Sequence, residues 1–285
     1  MKLPIIKHRR GIYGLAIVTA FALIPWTSAK AHNPIFTPGP HLIYNGGLEV
    51  DAGYTRGRKS GNGEKETENE GETGFEYGLT ADWTVEADIS YLDKDLNATG
   101  SSGLGDVVLR SRYRFSRIST KGVQKSAAIL AQVKLPTADD DSNPRLGSGS
   151  TDFLGGLLYG YESRRWYYNL AARYRLNTEG GGGLEKGDKQ FLDIVGGVRP
   201  FLTGYKQPDG VLFLELNFEN SGRDNLNGSD VTNSGGWEMF LSPGIFATYR
   251  NVALRTGVQI PIADNLNGKQ ANSDYRFKFE MKYTF

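Results

Sequence analysis

Polar and apolar residues alternate one by one along most of this chain, most clearly in its last segment. From Tyr275 to Phe285 every odd position is aromatic or Met and every even position is charged or Thr. Successive side chains of a β-strand point to opposite faces, so this segment has one apolar face and one polar face, sets that a helix would mix around its girth. The same period recurs upstream. Phe75, Tyr77, Leu79 and Ala81 alternate with Glu76, Gly78 and Thr80, and Trp83, Val85, Ala87, Ile89 and Tyr91 alternate with Thr84, Glu86, Asp88 and Ser90. Leu109, Tyr113 and Phe115 oppose Arg110, Arg112 and Arg114; Trp166, Tyr168, Leu170 and Tyr174 oppose Asn169, Arg173 and Arg175; Leu212, Leu214, Leu216 and Phe218 oppose Glu215, Asn217 and Glu219. Further strands fit at about 46–56, 125–135, 151–161, 190–200, 238–248 and 252–262. The pattern predicts about twelve strands of about ten residues, the length a tilted strand needs to cross a bilayer.

The links between strands alternate in length. Long polar ones fall at about 57–72, 92–105, 136–150, 177–189, 221–236 and 263–273, and short ones near 82–83, 116–124, 162–165, 201–210 and 249–251. Outer-membrane barrels have short periplasmic turns and longer outer loops. With the first strand entering from the periplasm, all six long links fall outside and an even strand count returns Phe285 to the starting side. The expected fold is therefore all-β: an antiparallel up-and-down transmembrane β-barrel of about twelve strands, spanning residues 46–285. A secreted β-sandwich also alternates, but its strands are shorter and its turns more uniform. Trp83 and Trp166 open strands at the short-turn end, and Tyr54, Tyr91 and Trp237 lie toward the other, as headgroup-level girdles would.

The first 31 residues read differently. Lys2, Lys7, Arg9 and Arg10 precede an apolar run from Gly11 to Ile24, Pro25 ends it, and Ala29-Lys30-Ala31 supplies a small-residue cleavage pattern. This is the anatomy of an export signal (residues 1–31), followed by a periplasmic N-terminal lead-in over residues 32–45 with Pro34, Pro38 and Pro40. The apolar run is short for a membrane anchor. Losing the leader's five basic residues leaves 28 basic against 32 acidic ones, a balance of −4 with no basic footprint for nucleic acid. The chain has no cysteine, so no disulfide framework holds it. Its negative mean hydropathy suits a barrel, in which only alternate residues face lipid. The localisation that follows is the cell outer membrane, in contact with its lipid and lipopolysaccharide.

Chemistry is sparse. His8 lies in the leader, and His32 and His41 in the lead-in, so no expected strand or outer loop can supply a histidine base, and a missing cysteine excludes a thiol nucleophile. No enzyme, cofactor or metal site is expected. The Asp139-Asp140-Asp141 cluster lacks EF-hand spacing, and Glu64 to Glu72 reads as a flexible acidic loop. Asp-Asn-Leu-Asn-Gly, at 224–228 and again at 264–268, is turn chemistry. The informative charges are those on the polar strand faces, which in a barrel line the lumen and must find partners. The candidates are Glu86 and Asp88; Arg110, Arg112 and Arg114; Asp152; Arg173 and Arg175; Asp193 and Arg199; and Glu215. A register summing to 198 would set Asp88 opposite Arg110 and Glu86 opposite Arg112, and one summing to 327 would set Asp152 opposite Arg175. Such charges either hold strands in register or meet a permeating solute.

Four short motifs carry a resemblance. They are Gly103-Leu104-Gly105-Asp106, Lys134-Leu135-Pro136-Thr137, Leu146-Gly147-Ser148-Gly149-Ser150-Thr151-Asp152-Phe153, and Ser242-Pro243-Gly244-Ile245. In order and spacing they resemble the outer-membrane transporter family named for a meta-pathway of phenol degradation. The chain departs from that pattern at Ala138, where a glycine is expected. The resemblance implies an outer-membrane channel that passes small solutes, aromatic or hydrophobic compounds among them, through the barrel. The alternative is a structural or surface-interaction barrel with a plugged lumen and functional outer loops. The terminal aromatic strand also resembles the signal through which the barrel-assembly machinery would engage Phe285.

Overall fold

The computed structural model describes residues 33–203 and 207–285, so the export signal and its cleavage after Ala31 lie outside the described residues. Thirteen strands form one closed wall. They are β1 (Leu48–Gly61), β2 (Glu64–Thr80), β3 (Trp83–Leu96), β4 (Thr99–Leu104), β5 (Val107–Thr120), β6 (Val123–Leu135), β7 (Asp152–Ser163), β8 (Trp166–Leu176), β10 (Lys189–Val198), β11 (Asp209–Ser221), β14 (Gly236–Tyr249), β15 (Val252–Leu266) and β16 (Asn272–Thr284). The numbers left out belong to β9 (Leu184–Glu185), β12 (Asn225–Leu226) and β13 (Ser229–Asp230), a small sheet among the long links. Because β4 and β5 both pair with β3 along its length, they form one stave interrupted at Gly105-Asp106, and the barrel has twelve staves. Each stave pairs antiparallel with its neighbours in the chain, and β16 returns to β1, closing the wall. Closure leaves no edge with unpaired backbone, which a lipid environment requires.

The alternation does what the sequence requires of it. On the outer surface Leu157 is 61 % exposed and Ile245 51 %, while on the inner one Asp193 is 1 % and Glu215 0 % exposed. Charge inside and apolar side chains outside invert the order of a water-soluble domain, and suit a wall standing in lipid. Among the described residues no helix is long and apolar enough to cross a membrane; the crossing is made by strands.

Three expected loops are strand instead. The 57–72 link is a hairpin in which β1 and β2 pair from Leu48–Tyr77 out to Gly61–Glu64, turning on Asn62-Gly63. Both turn residues have positive φ, 51° and 86°, the two-residue turn that matches strand twist and that Asn-Gly favours. The 92–105 and 263–273 links are likewise mostly ladder. Beyond the lipid nothing demands an apolar face, yet the backbone ladder continues, so these parts carry polar residues on both faces and read as loops. The links at 136–151, 177–188 and 222–235 do remain long.

Residues 33–47 enter the barrel rather than trailing from it. Ile35 joins Tyr167, Val195, Val211, Phe213 and Phe246 in an apolar cluster inside the short-turn half. A second inner cluster, Ala128, Leu130, Leu154, Leu158, Ala171 and Phe191, lies on the staves from β6 to β10.

Candidate functional site: a lumen filled at one end

The segment 33–47 is fixed by a series of specific polar contacts. Glu215 on β11 is fully buried, and its carboxylate accepts the N–H of Ile35 at 2.7 Å, of Phe36 at 3.2 Å and of Thr37 at 2.9 Å, with the Thr37 hydroxyl at 2.7 Å. Three successive amides converging on one carboxylate satisfy both the backbone and the charge without a counter-cation. Arg255 donates to the Pro34 carbonyl at 2.9 Å, Arg112 to that of His41 at 3.4 Å, and His41 meets Glu162 at 3.4 Å. Gly46 and Gly47 join the segment to the wall at Gly78, with Gly46 N–H donating to the Gly78 carbonyl at 2.8 Å and Gly78 N–H to that of Gly47 at 3.0 Å.

Small residues make room for the segment. Gly244 and Gly257 face each other across β14 and β15, and a Cβ on Gly244 would stand 2.6 Å from the Ile35 side chain. A Cβ on Gly160 would stand 2.8 Å from Pro40, and one on Gly78 would overlap the Tyr44 carbonyl. The Ser242-Pro243-Gly244-Ile245 motif thus acquires a physical role: its glycine is half of the notch that seats Ile35.

Apart from Glu215 and Arg175, the expected wall charges fall into ion pairs, in registers two residues from those expected. Glu86 stands opposite Arg110, a sum of 196 rather than 198. The two-residue slip keeps every side chain on its face, and long side chains still reach diagonally. Arg110 contacts Glu86 at 3.2 Å and pairs with Asp88, while Arg112 contacts Glu76 at 2.6 Å and Glu86 at 3.5 Å. Arg173 pairs with Asp193 at 2.6 Å, Arg199 with Asp209 at 2.9 Å, and Arg114 with Asp82 at 2.8 Å near the β2–β3 turn. Asp152 is not opposite Arg175: the sum across β7 and β8 is 329, so Leu154 takes that place. The turn at Arg164-Arg165 is centred one residue later than that register requires, which moves the ladder by two. Asp152 pairs instead with Lys134, and Arg175 lies 5.5 Å over the Phe191 ring.

Lys134 joins three of the sequence motifs. It pairs with Asp152 and lies 3.4 Å from Asp106, whose carboxylate in turn accepts the N–H of Thr137 at 3.1 Å and of Ala138 at 3.0 Å. Ala138 is accommodated because its neighbour is Gly147, where a Cβ would stand 2.8 Å from that of Ala138. The Asp139 carbonyl accepts the N–H of Leu146 at 3.1 Å, so the acidic triplet shapes its own loop.

Above the segment lies a cavity of about 600 Å³. Eleven basic and eight acidic side chains line it, a mild positive excess, together with the apolar Leu92, Leu130, Leu146 and Leu154. The residues that sequence reasoning missed are here. Glu68, Glu70 and Glu72, expected in a flexible loop, stand on the inner face of β2, and Lys186 reaches in from the 177–188 link. Their signal was present as the alternation of Glu66, Glu68, Glu70 and Glu72 with Thr67, Asn69, Gly71 and Thr73, a period of two without an apolar member.

Comparison with known proteins agrees with this architecture. A family model described as "Putative MetA-pathway of phenol degradation" matches residues 31–210. Among curated proteins nothing matches. Of solved structures, the COG4313 outer membrane channel from Pseudomonas putida F1 superposes with a TM-score of 0.70 at 15 % identity, over 87 % of this chain and 99 % of that one. The β domain of the Bordetella autotransporter BrkA superposes with a TM-score of 0.53 at 14 % identity, over 85 % and 100 %. Identities this low establish a shared barrel fold.

Proposed function

The chain belongs to the MetA-pathway-of-phenol-degradation family, and from that premise we propose that it is an outer-membrane channel passing small solutes through its lumen, with residues 33–47 as a displaceable closure. The carrying observation is the pairing of a charged cavity in one half of the lumen with a separate chain segment filling the other. Eight strands already enclose an interior just wide enough for wall side chains to fill, so twelve staves leave space beyond them, which the segment occupies at one end and leaves open at the other. The superposable Pseudomonas barrel is itself described as an outer membrane channel, which supports the reading. The mild positive excess around the cavity predicts a weak preference for anions. The strip of Leu92, Leu130, Leu146 and Leu154 would receive the apolar part of a solute, aromatic or hydrophobic compounds included.

The reading is non-catalytic. Among the described residues the one histidine, His41, is buried in the closing segment against Glu162. Outer-membrane lipid and lipopolysaccharide would surround the apolar belt, and the assembly machinery would read the strand ending at Phe285. Export would remove the leader near Ala31.

The second reading, a permanently plugged structural barrel, is favoured by how many polar contacts hold the segment. Single-channel recording in planar bilayers separates the two. The channel reading expects discrete openings that become more frequent in Glu215→Ala. No openings in either protein, with both folded and heat-modifiable, would favour the plugged barrel.

A further inference from the structure

The cavity charges are not distributed evenly, and most of them are spent on one another. Glu68 is paired with Lys94 at 2.9 Å, Asp106 and Asp152 share Lys134, and Arg173 is held by Asp193. Glu70 and Glu72 have no ion pair among the described residues; nor do Arg175 and Lys186, nor Arg145, whose guanidinium is instead taken up by the Gly181 carbonyl at 2.9 Å. Glu70, Glu72, Arg175 and Lys186 face the same cavity. The two acids are neighbours on β2, at alternate positions of one inner face. Arg175 is on β8, and Lys186 follows it in the link from β8 to β10. Around the ring, β2 and β8 are separated by five steps one way, through β3, β5, β6 and β7, and by seven the other, close to diametrically opposite.

We infer that the cavity selects small amphoteric solutes, molecules bearing one cationic and one carboxylate group, which cross with the cation toward Glu70 and Glu72 and the carboxylate toward Arg175 and Lys186. This inference rests on the channel reading and names its substrate class. Opposed unneutralised charges set up a field across the lumen, and low-dielectric walls keep it from being screened as it would be at an open surface. A dipolar solute aligned with that field replaces water at both ends at once, and guanidinium is well matched to carboxylate. A neutral isomer gains neither contact. A monovalent ion gains one wall and is repelled by the other, so simple ions are only weakly selected.

Osmotic swelling of proteoliposomes containing the full-length mature protein tests this with two isomers of equal size, zwitterionic alanine and neutral lactamide. The pair is run through the wild type and through Glu215→Ala. Alanine is expected to enter at least about threefold faster, a modest share of the enrichment a focused field can give. The double variants Glu70→Gln/Glu72→Gln and Arg175→Gln/Lys186→Gln should each bring the ratio close to one. They should also shift the reversal potential in opposite senses, toward anions for the first and toward cations for the second. A merely structural role would change both fluxes together and leave the ratio intact, and that result overturns the inference. Equal entry of the two isomers through the wild type also overturns it and leaves the channel standing. Entry of neither isomer through either protein overturns the channel reading, and this inference with it.

Discussion

The two halves of the lumen solve the same problem in opposite ways. Both are lined by the inward residues of twelve staves, and both must deal with charge that the sequence places inside a barrel. In the short-turn half the solution is neutralisation: Asp209 is matched by Arg199, and Glu215 by three amides of the inserted segment. Side chains there are buried as deeply as in any core. In the long-loop half most charges are paired too, but some of each sign, Glu70, Glu72, Arg175 and Lys186 among them, face open space without an ion pair among the described residues. Pairing stabilises a closed wall, whereas unmatched charge serves a wall that meets a solute. On the proposed channel reading, the difference between the halves separates where the molecule is held shut from where it meets a solute.

The largest test of that contrast removes the anchor of the closed half. Glu215→Ala deprives three N–H groups and the Thr37 hydroxyl of their acceptor, and each buried donor left unmatched costs about 1–3 kcal/mol. The segment should leave its seat, with open probability in single-channel records rising by about an order of magnitude or more. Glu215→Gln keeps one acceptor oxygen but turns an NH₂ toward the same donors, so it should fall between the two. Unchanged gating in Glu215→Ala would mean that the segment is held by packing alone.

Packing is tested separately by Gly244→Val, whose side chain would occupy the place of Ile35. Because the chain has no native cysteine, a Phe36→Cys background reports the result cleanly. Maleimide should label that thiol slowly in the Phe36→Cys protein and at least about tenfold faster once Gly244 is also Val, as expected for a segment moved from a closed to an open population. Equal labelling would show that Ile35 can repack elsewhere. A third test stays within the wall. Arg173→Gln strands the carboxylate of Asp193, which is 1 % exposed, and breaking one partner of a buried pair costs about 3–5 kcal/mol. It should lower the temperature of heat modification measurably, while the same change at Arg175 should not.

The closed and open halves were unequally legible in the sequence. Strands in the lipid belt announce themselves, as Tyr275 to Phe285 does, because lipid and water impose opposite demands on alternate residues. Once both faces are wet the demand vanishes, which is why Glu64 to Glu72 read as a loop although it continues β2 outward. Parity survived while register did not. Glu86 and Arg110 were rightly placed on one face of their strands but two positions out, since turn geometry at the sequence level leaves an even slip open. The closing segment was invisible for a third reason: Asn33 to Gly47 has no period, and its seat is made of distant glycines that carry meaning only when Ile35 or Pro40 lies against them.

The smallest expected effect separates the halves by salt. Glu70→Gln removes a charge without an ion pair, so heat modification should be unaffected within about 0.5 kcal/mol, the scatter of ordinary solvent-facing substitutions. Its effect is on selectivity and depends on screening. The Debye length falls from about 10 Å at 0.1 M to about 3 Å at 1 M. At 0.1 M the variant should shift the reversal potential toward anions, and at 1 M it should be indistinguishable from the wild type. Contacts between Glu215 and the segment are buried and in direct hydrogen-bond contact, beyond the reach of mobile ions, so gating in the same records should hardly change with salt. A selectivity shift that persists at 1 M would mean that Glu70 touches the permeating ion directly, rather than acting through a field across the lumen.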